Sequence, residues 1–212
     1  MADFLHKPTL AGELVTLRPV TEDDVPALLP MFGDPEIARL TGLHTRFDEP
    51  ALRKWYGSRG GQDGRLDLAV VERATGRVVG EVVLNEWDEG NESCGFRICF
   101  TPEGIGRGLG TEATRLMLGH AFDGLGLYRV WLEVYAFNPR ARRAYEKAGF
   151  RAEGVLRGAL RWEGERVDAP VMAVLAPEWA AGSQVVGSQV VGSQVSGSQV
   201  SGSQVSGSQV SG

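Results

Sequence analysis

The stretch GIGRGLGTEA, Gly104 to Ala113, decides the reading of the chain. It holds four glycines within seven residues, and a helix-like run follows at once. Glycine costs backbone entropy, roughly 1 kcal/mol relative to alanine inside a helix. A ligand that must approach the backbone itself would offset that cost. Consecutive amide N–H groups from Gly106 to Thr111 at a helix start suit a phosphate or diphosphate, and the helix dipole adds to the attraction. Arg107 can add positive charge, and glycine at 108 and 110 lets a ligand touch the chain.

Two other phosphate loops are weighed against this one. A P-loop requires lysine directly after the last glycine, and none is present. A dinucleotide fingerprint fits Gly108-x-Gly110-x-x-Ala113, with Glu133 about 20 residues on. That motif lies mid-chain, however, and hairpins rather than strand–helix–strand repeats precede it.

Outward from this loop the elements alternate in a regular way. Upstream, residues 14–19 read as a strand, 21–32 as a helix capped by Thr21, and 48–60 as a second helix. RLDLAVVER (65–73) and RVVGEVVLNEW (77–87) make a hairpin about Ala74-Thr75-Gly76. SCGFRICF (93–100) is the strand entering the loop, and TEATRLMLGHAF (111–122) is the helix leaving it. LYRVWLEVYAF (127–137) is a further strand. NPRARRAYEKAGF (138–150) is a short helix, with Asn138 as cap, Pro139 at its first position and Gly149 past its end. Residues 150–164 and 165–176 close the pattern as a hairpin. The fold class expected is α+β: a central mixed, mostly antiparallel sheet with helices on both faces.

The chain has 212 residues and a net charge of −5. From Gly182 it repeats GSQVV and then GSQVS with a period of five. Residues 1–181 therefore read as one domain, and 182–212 as a flexible, linker-like tail. All the charge lies in the domain. An acidic domain is a poor partner for nucleic acid but is compatible with a cationic amine. Cys94 and Cys99 are five apart, on opposite faces of a strand, so they are read as reduced thiols in the cytoplasm. No stretch of about 18 apolar residues suggests a membrane span. No cluster of histidine, cysteine and carboxylate has metal-ligand spacing, so no metal is expected. His120 lies on an apolar helix stripe and reads as a core histidine; His44 lies in a loop where substrate could bind.

Two motifs in order resemble the GNAT N-acetyltransferase superfamily. Its acetyl-CoA signature, Q/R-x-x-G-x-G/A, falls on Ile105-Gly106-Arg107-Gly108-Leu109-Gly110, with isoleucine where glutamine or arginine is usual. Its N-x-x-A-x-x-x-Y-E-x-x-G-F element is matched by Asn138, Ala141, Tyr145, Glu146, Gly149 and Phe150. The opening and closing segments resemble ribosomal-protein N-terminal acetyltransferases and spermidine acetyltransferases, over roughly Leu10 to Leu175.

The resemblance implies acetyl-CoA as cosubstrate and a primary amine as acceptor, a protein N-terminus or a small molecule. It implies a strand 93–100 that splays from the strand near Tyr128, with the pantetheine arm against Ile98, Cys99 and Phe100. The diphosphate would lie on Ile105 to Thr111. Asn138 and Arg142 join the cofactor-binding set, and Tyr145 serves as acid for the departing sulfur and binds cofactor too. The general base is left among Glu81, Glu92 and Glu133, with Glu81 placed by alternation beside Val79, Val83 and Asn85. Arg46, Trp55, Tyr56 and Trp87 are candidates for the acceptor side. The competing reading is an acetyl-CoA-binding sensor or scaffold without catalysis. A homodimer through sheet edges or the final hairpin is left open.

Overall fold

A computed structural model describes residues 2–182 of the chain; the repeat tail expected beyond this point lies outside the described residues. Eight strands form one sheet in the order β1-β2-β3-β4-β5-β6-β8-β7. They are β1 (Leu10–Ala11), β2 (Val15–Pro19), β3 (Leu66–Glu72), β4 (Val78–Asp88), β5 (Ser93–Phe100), β6 (Arg129–Glu133), β7 (Arg151–Trp162) and β8 (Glu165–Leu175). Every neighbouring pair is antiparallel except β5 and β6, which are parallel.

Helices cover both faces. On one side, α4 (Leu109–Gly119) and α5 (Pro139–Ala148) press Leu109, Ala113, Met117, Leu118 and Ala148 onto Leu68, Val82, Leu84, Phe96, Val130 and Leu132. On the other, α1 (Val25–Gly33), α2 (Pro35–Thr41) and α3 (Glu49–Gly57) bury Val25, Leu28, Met31, Ile37, Leu52 and Tyr56 around Ala69. Alternation along the strands sends neighbouring residues to opposite cores. Cys94 accordingly joins the first core and Cys99 packs against the second, both as free thiols.

The helix ends follow from local chemistry. Asp34 and Asp48 accept N–H bonds from Ile37 and Ala51, capping α2 and α3, and each is followed within two residues by proline. Asn138 caps α5 through the Ala141 N–H, and Gly149 closes it at φ +114°. A π-helical turn, His120–Gly124, extends α4. Residues 176–182 form a further helix, α6, whose Trp179 donates to Asp123 and packs on Phe122.

Two features set up the site. First, β5 and β6 pair only at Ser93–Arg129, Cys94–Val130 and Gly95–Trp131. Beyond Gly95 the strands part, leaving a gap between the second half of β5 and the end of β6. Second, β4 carries a bulge against β3: Val70 faces Gly80, but Val71 faces Val78. Val79 is thus the extra residue, and its carbonyl accepts the Thr101 N–H. The bulge corrects one neighbour expected beside Glu81: Val83 and Asn85 share its face, but Val79 does not. Val79 turns into the core under α4, while Glu81 joins Val78 and Cys99 beneath α1 and α3.

Candidate active site

The glycine loop leaves the end of β5 through a short 3-10 turn, Pro102–Gly104, and enters α4 at Leu109. Gly106 and Gly108 adopt φ of +83° and +81°, left-handed values that L side chains rarely take. A Cβ on Gly106 would meet nothing within 4 Å, so its freedom serves the backbone path and leaves space above it. Gly104 and Gly110 have another reason to be glycine. A Cβ on Gly104 would stand 2.7 Å from both Phe100 and the Val79 carbonyl, and one on Gly110 would stand 3.3 Å from Phe100.

Among the described residues, 105 and 106 form a hydrogen-bonded turn, and the N–H groups of 108 to 110 donate to no backbone or side-chain acceptor. The Thr111 N–H, expected to belong to this set, instead donates to the Gly108 carbonyl at 3.1 Å. Three successive free donors at the start of an 11-residue helix are a cradle for an anion. Surface depressions flank the loop. One, of about 690 Å³, is lined by Ala11 to Leu14, Gly108, Thr111, Glu112 and Arg115. The Glu112 carboxylate fixes this wall by accepting the N–H groups of Glu13, Leu14 and Val15. Arg107, expected on the phosphates, is held by buried Glu72 at 2.6 Å.

Tyr145 projects from α5, its ring edge-on to Phe96 and close to Phe150. Its hydroxyl has no hydrogen-bond partner among the described residues. Burial pushes this phenol up, the Cys99 thiolate would add to the shift, and Arg97 opposes it. Arg97 and Cys99 lie on the far face of β5, so the phenol senses both faces of the sheet where the strands part.

Glu81 lies on β4 opposite Ala69 and Cys99. Its Oε2 accepts the Tyr56 hydroxyl at 2.6 Å. Burial pushes the carboxyl above its ordinary range, and the Tyr56 bond partly opposes this. The Cys99 thiol is pushed up to about 12, first by burial and then by Glu81, so it stays protonated.

The remaining candidates divide. Ile98, Cys99 and Phe100 occupy the splayed half of β5, and Asn138 stands at the head of α5. Arg142 is exposed and paired with Glu146 on the same helix. Glu92 is not brought to the site. It is exposed at φ +47° in the turn before β5, at the strand end remote from the loop. Glu133 is exposed at the end of β6, on the rim of the gap. Tyr56 is buried against Glu81 rather than lining an open wall, Trp87 packs on Phe4, and exposed Trp55 stacks under Arg59. His44 reaches across to stack on Trp162 of β7, and Tyr135 lies against Gly42. Sequence reasoning missed Arg97, Tyr135 and the α2 segment behind them. The period-two pattern of β5 does place Arg97 on the Cys99 face.

Among the described residues no helix is long and apolar enough to cross a membrane, and no group of three His, Cys, Asp or Glu side chains could hold a metal ion.

Residues 15–151 match the model of the acetyltransferase (GNAT) domain. The chain is 24% identical over 173 residues to the uncharacterized N-acetyltransferase YoaA of Bacillus subtilis, covering 80% of this chain and 98% of that one. It is 32% identical over 111 residues to the spermidine N(1)-acetyltransferase of Escherichia coli, covering 52% of this chain and 60% of that protein. The crystal structure of spermidine N-acetyltransferase from Vibrio cholerae, in complex with CoA and spermine, has the same fold. It aligns with a TM-score of 0.74 at 24% identity, over 80% of this chain and 99% of that one. The chain belongs to the GNAT acetyltransferase family, as an N-acetyltransferase that uses acetyl-CoA as cosubstrate and an amine as acceptor.

Proposed function

We propose that acetyl transfer proceeds by direct attack in a ternary complex at the gap between β5 and β6, with Glu81 as base and Tyr145 as acid. The observation that carries this reading is the run of free N–H groups at 108–110, next to a sheet opening flanked by a raised carboxyl and an unpartnered phenol. The diphosphate rests on those donors, and the thioester arm follows the splayed half of β5 past Ile98, Cys99 and Phe100. Asn138, whose side-chain oxygen already caps α5, has its amide NH2 left for the arm.

The chemistry has three needs: a neutral amine, a donor to the oxyanion, and a proton for sulfur. Glu81 accepts a proton from the ammonium, directly or through a water. The amine nitrogen then bonds to the thioester carbonyl carbon. A backbone N–H of the unpaired β5 edge stabilises the oxyanion. As the C–S bond breaks, the sulfur takes its proton from Tyr145, which recovers one from solvent. The products are an N-acetyl amide and the free thiol. The raised Glu81 suits a base working near neutral pH, and burial keeps Tyr145 loaded with its proton.

The cytoplasm is the compartment this reading favours, on the strength of two free cysteines. A second copy of the chain would pair along β7, the sheet edge, which is exposed over most of its length and carries Val155 and Leu156 on its surface. Light scattering on the full chain reads twice the monomer mass if so, and the monomer mass if not. The function is tested by thiol release from acetyl-CoA across polyamines, amino acids, aminoglycosides and peptides with free N-termini. Amine-dependent release supports the mechanism. Acetyl-CoA binding with no release on any amine favours a sensor instead.

A further inference from the structure

The parallel register of β5 and β6 runs Ser93–Arg129, Cys94–Val130, Gly95–Trp131. Continued by two residues, it would set Arg97 directly across from Glu133. Both lie on the Cys99 face, since Phe96, Val130 and Leu132 fill the opposite core. Opposite charges so placed would make an ordinary cross-strand pair. The splay prevents it, and the ion pairs among the described residues leave both side chains out. Both are exposed.

The other carboxylates near Arg97 are already engaged. Glu81 accepts Tyr56, Asp67 takes two bonds from Arg65, and Asp34 caps α2. The phenol of Tyr135 is raised by burial and then by Glu133, and lowered by Arg97, so both charges act at one spot beside the gap. A guanidinium and a carboxylate are thus left unpaired on the rim of the gap, where the mechanism above brings the acceptor amine.

We propose that the acceptor is a small zwitterion, an amino acid or a close analogue, whose carboxylate binds Arg97 and whose ammonium is drawn in by Glu133 before it passes its proton to Glu81. This rests on the acetyl-transfer reading above and names its substrate class. Arginine suits carboxylate recognition because its fixed fork donates two parallel bonds. A polyamine would gain only Glu133 and would meet Arg97 as a like charge.

The test measures kcat and KM for thiol release from acetyl-CoA with free amino acids, their carboxamides matched side chain by side chain, and spermidine. The parent protein is compared with R97Q and R97K. The expected result is at least a tenfold preference in kcat/KM for an acid over its own amide. In R97Q that preference collapses to within about threefold, chiefly through a higher KM for the acid, and R97K restores part of it. Turnover of the amides or of spermidine in place of the acids, or of peptide N-termini alone, overturns the zwitterion and leaves acetyl transfer standing. An unchanged acid-to-amide ratio in R97Q overturns the role of Arg97. Acetyl-CoA binding without turnover of any amine overturns both readings.

Discussion

Replacing Tyr56 with phenylalanine isolates the base. The ring is buried among Leu28, Leu52 and Ala69, and phenylalanine fills the same space. What is lost is one bond, the 2.6 Å donation from the phenol to Glu81. That bond favours the charged carboxylate and opposes the burial that raises it. Hydrogen bonds to charged groups contribute about 1.5–3 kcal/mol. Losing a bond of that size favours the protonated form, so Tyr56→Phe should push the Glu81 carboxyl further up. The sign follows from the role: a base works deprotonated, so raising its pKa moves the acid limb of the pH–rate profile to higher pH. The assay is kcat/KM for thiol release from acetyl-CoA between pH 5 and 9 at constant ionic strength. The parent's acid limb should lie above the ordinary carboxylate range, and the variant's clearly higher still. The alkaline plateau should stay within a few-fold of the parent. A limb that does not move, or a uniform loss at every pH, would refute Glu81 as the base and leave Tyr56 a packing residue.

The two kinds of glycine in the loop should separate in experiment. Gly104→Ala forces a Cβ to 2.7 Å from Phe100 and the Val79 carbonyl, an overpacking cost of about 1–3 kcal/mol seen in chemical denaturation. Gly106→Ala meets no neighbour but strains a φ of +83°, about 1–2 kcal/mol, and should in addition raise the KM for acetyl-CoA severalfold. Glu92→Gln should leave kcat/KM within twofold of the parent, because the residue lies in the turn remote from the gap; a tenfold loss would return it to the list of bases.

Most of the sheet was legible because its signals are local. The span 93–100 was read to the residue, and α5 was bounded by Asn138, Pro139 and Gly149, whose chemistry acts within one turn. The elements missed were short or dependent on partners. The two residues of β1 make no alternation, and the seven of α2 follow α1 with only Asp34 between them. Helix α6 begins where the closing strand was expected to run out, and its anchor is a distant contact between Trp179 and Asp123.

The site divides along the same line. Loop and cap residues were readable because backbone conformation demands glycine, asparagine or proline there. Val79 was misplaced onto the face of Glu81, Val83 and Asn85 because a bulge is a relation between two strands, with no mark in β4 alone. Glu92 and Glu81 were equivalent as sequence; only the direction of β5 puts one at the gap and the other at its far end. The parting of β5 from β6 came from the family resemblance, since neither strand carries a residue that forces it. Arg97 gained meaning only once Glu133 was found across that gap.

The most direct test of the central claim is Tyr145→Phe, read by steady-state kinetics with an accepted amine. The hydroxyl has no partner among the described residues, and the ring keeps its contacts with Phe96 and Phe150, so the fold should lose little. If the phenol supplies the proton to the departing sulfur, kcat falls tenfold or more while the KM for acetyl-CoA stays within about twofold. An unchanged kcat would contradict the account, and with it the placing of the chemistry at the gap between β5 and β6.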